Sequence, residues 1–452
     1  MITISRGLIR QLRSVLVQAD IAADAGGWGP RVSINAHTDG LRIRAMSAAV
    51  VLEYREPAGN IESPEELPLF VSMEFLAAWE GDPQDSIALE ASRSGEILVH
   101  WGDGDWRRTS QPCEALSEPD ESFPVTPEVF AVNPPALLEA FRQAALTVGR
   151  ARAGFALETI QLRGETGTLV ATDSRQALWH AGFDFPWRED LLVPGSGVFS
   201  SHEWNLAEPL AVGRTEEWVA IRIARWTLWL RIDRAGSFPP VDDLLPHEDL
   251  RVSRASLSAS DVAFALQQIS RLSRDVGDSR SLTVEFDRQL RIRTKSQRQA
   301  LTTELVLNNT ICKGPPLTFL TDRDLLARAF KLGFRELQLA GPRAAAVCEG
   351  GRRRFAWALL DPQHLVPRSK QAVRIESPLD ADRTGWHADV KDRLARIACA
   401  SRGDTDDPVA ASGVTTVTDR GDALERLEMT LRDALEQTRR MRELSPGWPF
   451  PP

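Results

Sequence analysis

Cysteine is scarce in this chain and nowhere clustered. Cys113, Cys312, Cys348 and Cys399 form no Cys-x-x-Cys pair, so reduced structural thiols are expected rather than a disulfide framework or a zinc site. Long apolar runs are also lacking. None approaches the roughly 18 uninterrupted apolar residues of a membrane span, and the opening Met1-Ile2-Thr3-Ile4-Ser5-Arg6 has neither the apolar stretch nor the cleavage site of a signal peptide. A cytoplasmic protein without a membrane partner is expected. Positive charge is in deficit, with 54 Lys and Arg against 63 Asp and Glu and a formal charge of −9. That balance disfavours a sequence-independent grip on nucleic acid through a broadly basic surface, so any DNA contact must be local or topological. Catalytic signatures are missing as well: the sequence holds no P-loop, no Gly-x-Ser-x-Gly, no His-Glu-x-x-His and no calcium loop. Asp103-Gly104-Asp105 reads as a hairpin turn and Asp404–Asp407 as a solvated linker, and the seven histidines show no i, i+4 ligand pair. A non-catalytic protein with no cofactor and no metal site is the expectation.

What is present is length and repetition. The 452 residues, with 42% apolar and 26% charged side chains, suit two to four globular domains. Leu8, Leu12, Val15, Leu16 and Ala19 fall at the spacing of a helix core stripe, with Arg6, Arg10 and Arg13 on the opposite face. Leu137, Phe141, Ala144, Ala145 and Val148 repeat that stripe 129 positions later, and Val262, Leu266 and Ile269 give a weaker copy. Each helix precedes a hairpin pattern, over Arg31–Met46, Phe155–Asp173 and Ser281–Lys295. Each hairpin precedes a second capped helix, with Ser72 before Met73–Trp79, Ser201 before Glu203–Leu210 and Thr321 before Asp322–Leu332. Strand patterns close each unit, and the first two end alike, on Ser122-Phe123-Pro124 and Ser237-Phe238-Pro239.

The fold class is therefore α+β: three tandem domains of two helices packed on antiparallel sheets, at 1–125, 126–247 and 248–365. A helical extension, 366–452, follows. In it Trp386, Val390, Leu394 and Ile397 mark one amphipathic helix, Ser401–Asp419 a linker, and Asp422–Leu444 a second helix with Leu424, Leu427, Leu431, Ala434 and Met441 near heptad spacing.

Two stretches give this repeat a relative. Leu169-Val-Ala-Thr-Asp-Ser-Arg-Gln-Ala-Leu178 is similar to a "VATDGHRLA" strand, and Gly236-Ser-Phe-Pro-Pro-Val-Asp-Asp-Leu-Leu-Pro246 to a "GxFPDYxxxxP" joining segment. Both motifs belong to the bacterial DNA sliding clamp, the β subunit of DNA polymerase III, which the chain resembles over roughly Met1–Leu365. The resemblance implies a head-to-tail homodimer ring around duplex DNA in a bacterial cytoplasm, associated with the nucleoid. A clamp loader would open it, and DNA polymerase and repair proteins would bind through short linear motifs. It implies pore-facing roles for Arg6, Arg10, Arg13, Arg142, Arg150, Arg152, Arg271, Arg274, Arg323, Arg328 and Lys331. It also implies an apolar partner-peptide cleft walled by Phe155, Thr172, Ser174, Arg175, Ala177, Leu178, Pro246, Leu359, Leu360, Pro362 and Leu365. Ser174-Arg175-Gln176-Ala177 departs from the motif's Gly-His-Arg-Leu, and some 87 residues follow Leu365 where the family chain ends. A divergent or covered cleft would follow, and a clamp-derived interaction scaffold is the alternative function.

Overall fold

The computed structural model describes residues 1–19, 31–57, 68–92, 96–102, 109–114, 116, 122–149, 155–204, 208–272, 280–295 and 301–380. Met1–Thr384 form one compact unit. Both helices expected in the extension lie outside the described residues. Within the unit the order strand, helix, four strands, helix, three strands occurs three times, the middle copy with a 3₁₀ turn at Gly197–Ser200 for its second helix and the last inserting a short strand at Ile311–Lys313.

The first helices are α1 (Arg6–Gln18), α3 (Ala136–Ala145) and α4 (Ala259–Arg271); the second are α2 (Met73–Trp79) and α5 (Arg323–Lys331). Hydroxyls start most of them. Ser5 Oγ accepts from Leu8 N at 3.1 Å, Ser72 Oγ from Phe75 N at 3.2 Å and Ser258 Oγ from Asp261 N at 3.1 Å, satisfying amides that have no partner within the helix. The stripe Leu8, Leu12, Val15, Leu16 and Ala19 is buried as its spacing requires.

Two expectations need correction. Asp322, not Thr321, caps α5, accepting from Asp324 N at 2.8 Å, while Thr321 Oγ1 accepts from the buried Trp357 indole at 2.8 Å. In the middle repeat the helix expected over Glu203–Leu210 does not form at the described residues of that span, 203–204 and 208–210: a 3₁₀ turn, Gly197–Ser200, stands in its place and a strand begins at Leu210. Burial explains it, because Val198 and Phe199 already fill the site and Phe199 stacks on Phe141 of α3 at 4.6 Å. Leu210 and Val212 alternate inward, as a strand demands.

Each repeat supplies two half-sheets. One comes from the strands between its two helices, the other from the strand before its first helix and the three after its second. Half-sheets of successive repeats fuse. Val50–Pro57 pairs antiparallel with Trp226–Arg231, making an eight-stranded sheet, and Gln176–Ala181 pairs antiparallel with Arg353–Trp357, making a nine-stranded one. The duplicated Ser-Phe-Pro tripeptides cover these fusions from outside. Phe123 packs edge-on against Trp229 at 4.9 Å, and Phe238 packs on the Trp179, Val170 and Ala356 cluster. Two half-sheets are left unfused, that of Ile2–Ser5, Ser86–Ala91, Glu96–Trp101 and Thr109–Glu114, and that of Ser281–Phe286, Leu290–Lys295, Thr302–Leu307 and Leu317–Asp322.

Candidate nucleic-acid interface and partner cleft

The arginines of α1 turn toward the C-terminal end of α2. Arg6 donates to the carbonyls of Trp79 and Glu80, each at 3.2 Å, Arg10 donates to that of Gly81, and Arg13 pairs with the Glu80 carboxylate at 3.0 Å. Carbonyls at a helix C-terminus carry partial negative charge, which is why guanidinium groups settle there. Such half-exposed pairs contribute only about 0.2–1 kcal/mol, so exchanging these partners for a phosphate costs little. Arg142 is exposed and held by Glu139 of its own helix at 2.7 Å. Burial opposes ionisation of that carboxyl, yet bonds from Arg142 and Gln143 hold it below the usual range. Arg271 and Lys331 are exposed. Arg150, Arg152 and Arg274 lie outside the described residues.

Two expected pore residues do something else. Arg323 is 6% exposed and donates to Leu272 O at 3.3 Å, so its side chain is closed to a phosphate. Arg328 ties α5 to the end of α3, donating to Leu146 O at 2.6 Å, Gln143 O at 3.2 Å and Thr147 Oγ1 at 2.7 Å. Both face neighbouring elements because the residues beside them, Leu325, Leu326 and Ala329, set the buried stripe of a short helix.

The expected cleft residues converge, but not as one wall. Asp173 Oδ1 accepts from Arg175 N at 2.8 Å and Gln176 N at 2.9 Å, and Thr172 Oγ1 donates to Gln176 O at 2.7 Å. This turn holds Ser174 at φ 77°, the left-handed region where the family motif has glycine. It projects Arg175 onto Asp322 at the start of α5, at 2.7 Å, while Ala358 N donates to Arg175 O at 2.9 Å and Leu360 N to Leu320 O at 2.9 Å. Thr172, Ala177 and Leu178 are buried and present no surface to a peptide, a correction that follows from packing on both faces of their sheet. Alternation then splits them: Leu178 packs with Leu359 in the core of the last repeat, whereas Ala177 packs with Val241 on the opposite face. Leu359, Leu360, Pro362, Leu365 and Pro246 are half-buried and Phe155 is exposed, leaving these and Ser174 and Arg175 as accessible candidates.

The chain matches no protein-family model and no curated protein sequence. Solved structures do match. A DNA polymerase sliding clamp from Bacillus subtilis aligns at 14% identity over 79% of this chain and 98% of that one, with a TM-score of 0.66. A DNA polymerase III subunit beta from Pseudomonas aeruginosa aligns at 15% identity over 79% and 99%, TM-score 0.63. A DNA polymerase III beta chain from Streptococcus pneumoniae aligns at 12% identity over 79% and 99%, TM-score 0.65. The chain has the sliding-clamp fold.

On the outer surface of this clamp fold lies a feature that the sequence reading missed. Arg42, Arg44 and Arg55 surround the buried carboxylate of Glu53, with Arg44 Nε at 2.7 Å, while Arg222 stands over Phe130 at 3.8 Å and Arg44 over Phe123 at 3.9 Å. With Arg225 and Trp229, the first, third and fourth of these arginines line a cavity of about 480 Å³. The alternation Arg42-Ile43-Arg44 was a readable signal for it, since i and i+2 share one strand face.

Proposed function

We propose that the chain is a DNA sliding clamp, a non-catalytic processivity factor that encircles duplex DNA and tethers DNA polymerase or repair proteins. Its units are 1–125, 126–247 and 248–365, and its working form is a head-to-tail homodimer ring placed on DNA by a clamp loader, in the cytoplasm at the nucleoid. One observation carries the reading. Two fusions of half-sheets are made inside the chain, and the two unfused half-sheets belong to its first and last repeats, as an interface that closes by rotation requires. A formal charge of −9 fits this arrangement, because a topological link needs only weak phosphate contacts. The exposed Arg142, Arg271 and Lys331, with re-aimed Arg6, Arg10 and Arg13, supply them, and Arg150, Arg152 and Arg274 are further candidates. The partner cleft is the surface between the Ser174–Arg175 turn, the start of α5 and Leu359–Leu365. The test is product length on a primed circular template, copied by the host polymerase and clamp loader: longer products with this chain are expected, and unchanged products contradict tethering.

A second reading, a clamp-derived interaction scaffold without stable encirclement, is favoured by the Arg175–Asp322 ion pair, which ties together the two sides between which a partner peptide would enter.

A further inference from the structure

The internal fusions assign an equivalent strand in every repeat. Val50–Pro57 and Gln176–Ala181 are the third strands after their first helices, and each pairs with the last strand of the next repeat, Trp226–Arg231 or Arg353–Trp357. By the same count the last repeat offers Thr302–Leu307, and the strand that should meet it is Thr109–Glu114 of a second copy. Thr109–Glu114 ends its four-stranded sheet. Thr302–Leu307 does not end its own, because Val373–Glu376, from beyond the third repeat, already pairs with it in register Thr303 with Val373 through Val306 with Glu376. That pairing is parallel, where both internal fusions are antiparallel.

The segment carrying this strand is fastened at four residues. Val366 N donates to Thr283 Oγ1 at 2.8 Å and its carbonyl accepts from Arg293 Nε at 3.0 Å. Arg368 pairs with Glu285 and, at 3.0 Å, with Asp287. Ser377 is 2% exposed; its hydroxyl donates to the buried Asp261 carboxylate at 2.6 Å and accepts from Asn308 N at 2.9 Å. Asn309 Nδ2 then donates to Pro378 O at 2.8 Å. A strand edge can hold one partner at a time.

We propose that residues 366–380 form a strap that occupies the ring-closing edge, so that a second copy of this chain pairs through Thr109–Glu114 only when the strap leaves. The strap makes closure conditional, and an open, single-chain clamp is the resting form. The inference rests on the clamp reading for its biological meaning but not for its test.

Three full-length variants, one that locks the strap and two that release it, test it by analytical ultracentrifugation. Thr303→Cys with Val373→Cys places two thiols at directly paired positions, where strand spacing suits a disulfide; Arg368→Ala with Ser377→Ala removes two fastenings, and Ile375→Asp is a milder release that leaves Asp261 and its partners intact. The oxidised cysteine pair is expected to stay a single chain at 100 micromolar, and a release variant to dimerise at least tenfold more tightly than it. Equal dimerisation of the oxidised and released chains, or folded release variants that both stay single chains, overturns the strap. A released chain that dimerises yet is never trapped on circular DNA leaves the strap standing and overturns the clamp reading.

Discussion

At the scale of single residues, burial decides which groups titrate. His180 is enclosed between Gln143, at 3.1 Å, and Phe183, and burial, with the nearby Arg353, lowers its pKa to about 4. The unfolded chain binds this proton near pH 6.5, so its contribution to stability is complete above that value and declines as the pH falls toward 4. The expected loss between pH 6.5 and 5 is about 1.5 kcal/mol. Urea midpoints of wild type and His180→Gln, which keeps a donor for Gln143, check this: the variant should lose that part of the slope, and identical slopes would exclude His180 as its source. Burial raises the thiol pKa of Cys348 above the ordinary range and that of Cys312 to about 11, so both remain protonated near neutrality, consistent with structural cysteines.

At the scale of elements, the repeats meet through helix ends as well as strands. Arg328 is the clearest case, a half-buried cation whose three bonds hold α5 against the end of α3. Arg328→Ala is expected to cost about 1–3 kcal/mol, more than a surface arginine does, because it removes charge-assisted bonds that cross from α5 to the end of α3. Thermal denaturation beside Arg142→Ala checks it, with a shift no larger than that control counting against the join. The first helices were legible because a stripe such as Leu8, Leu12, Val15 and Leu16 encodes its own burial. The second helix of the middle repeat was not, since Phe199 fills the place by stacking on Phe141, a contact 58 positions distant and invisible to local pattern. For the proposed cleft, the Thr172–Leu178 motif marked a turn that the structure brings against the start of α5, and strand alternation was readable, whereas pairing with Arg353–Trp357 on the far side was not. Val373–Glu376 was missed for the same reason, because four residues gain strand character only from the edge that they cover.

At the scale of the whole molecule, a chain that is acidic overall presents its basic groups in small sets. The α1 arginines are already compensated by α2 and by Glu80, so any pull they would exert on a phosphate is modest and screened by salt. On the proposed function, such groups alone would hold DNA weakly, and encirclement would make weak contact sufficient. That is the central claim, and cutting the DNA tests it most directly. The Arg368→Ala, Ser377→Ala chain is loaded on a nicked plasmid by the clamp loader, the complex is isolated by gel filtration at moderate salt, and a restriction enzyme makes a single cut. The account predicts that protein stays with the intact circle and leaves once the ends are free. Equal retention before and after the cut, or no retention on the circle, would contradict it.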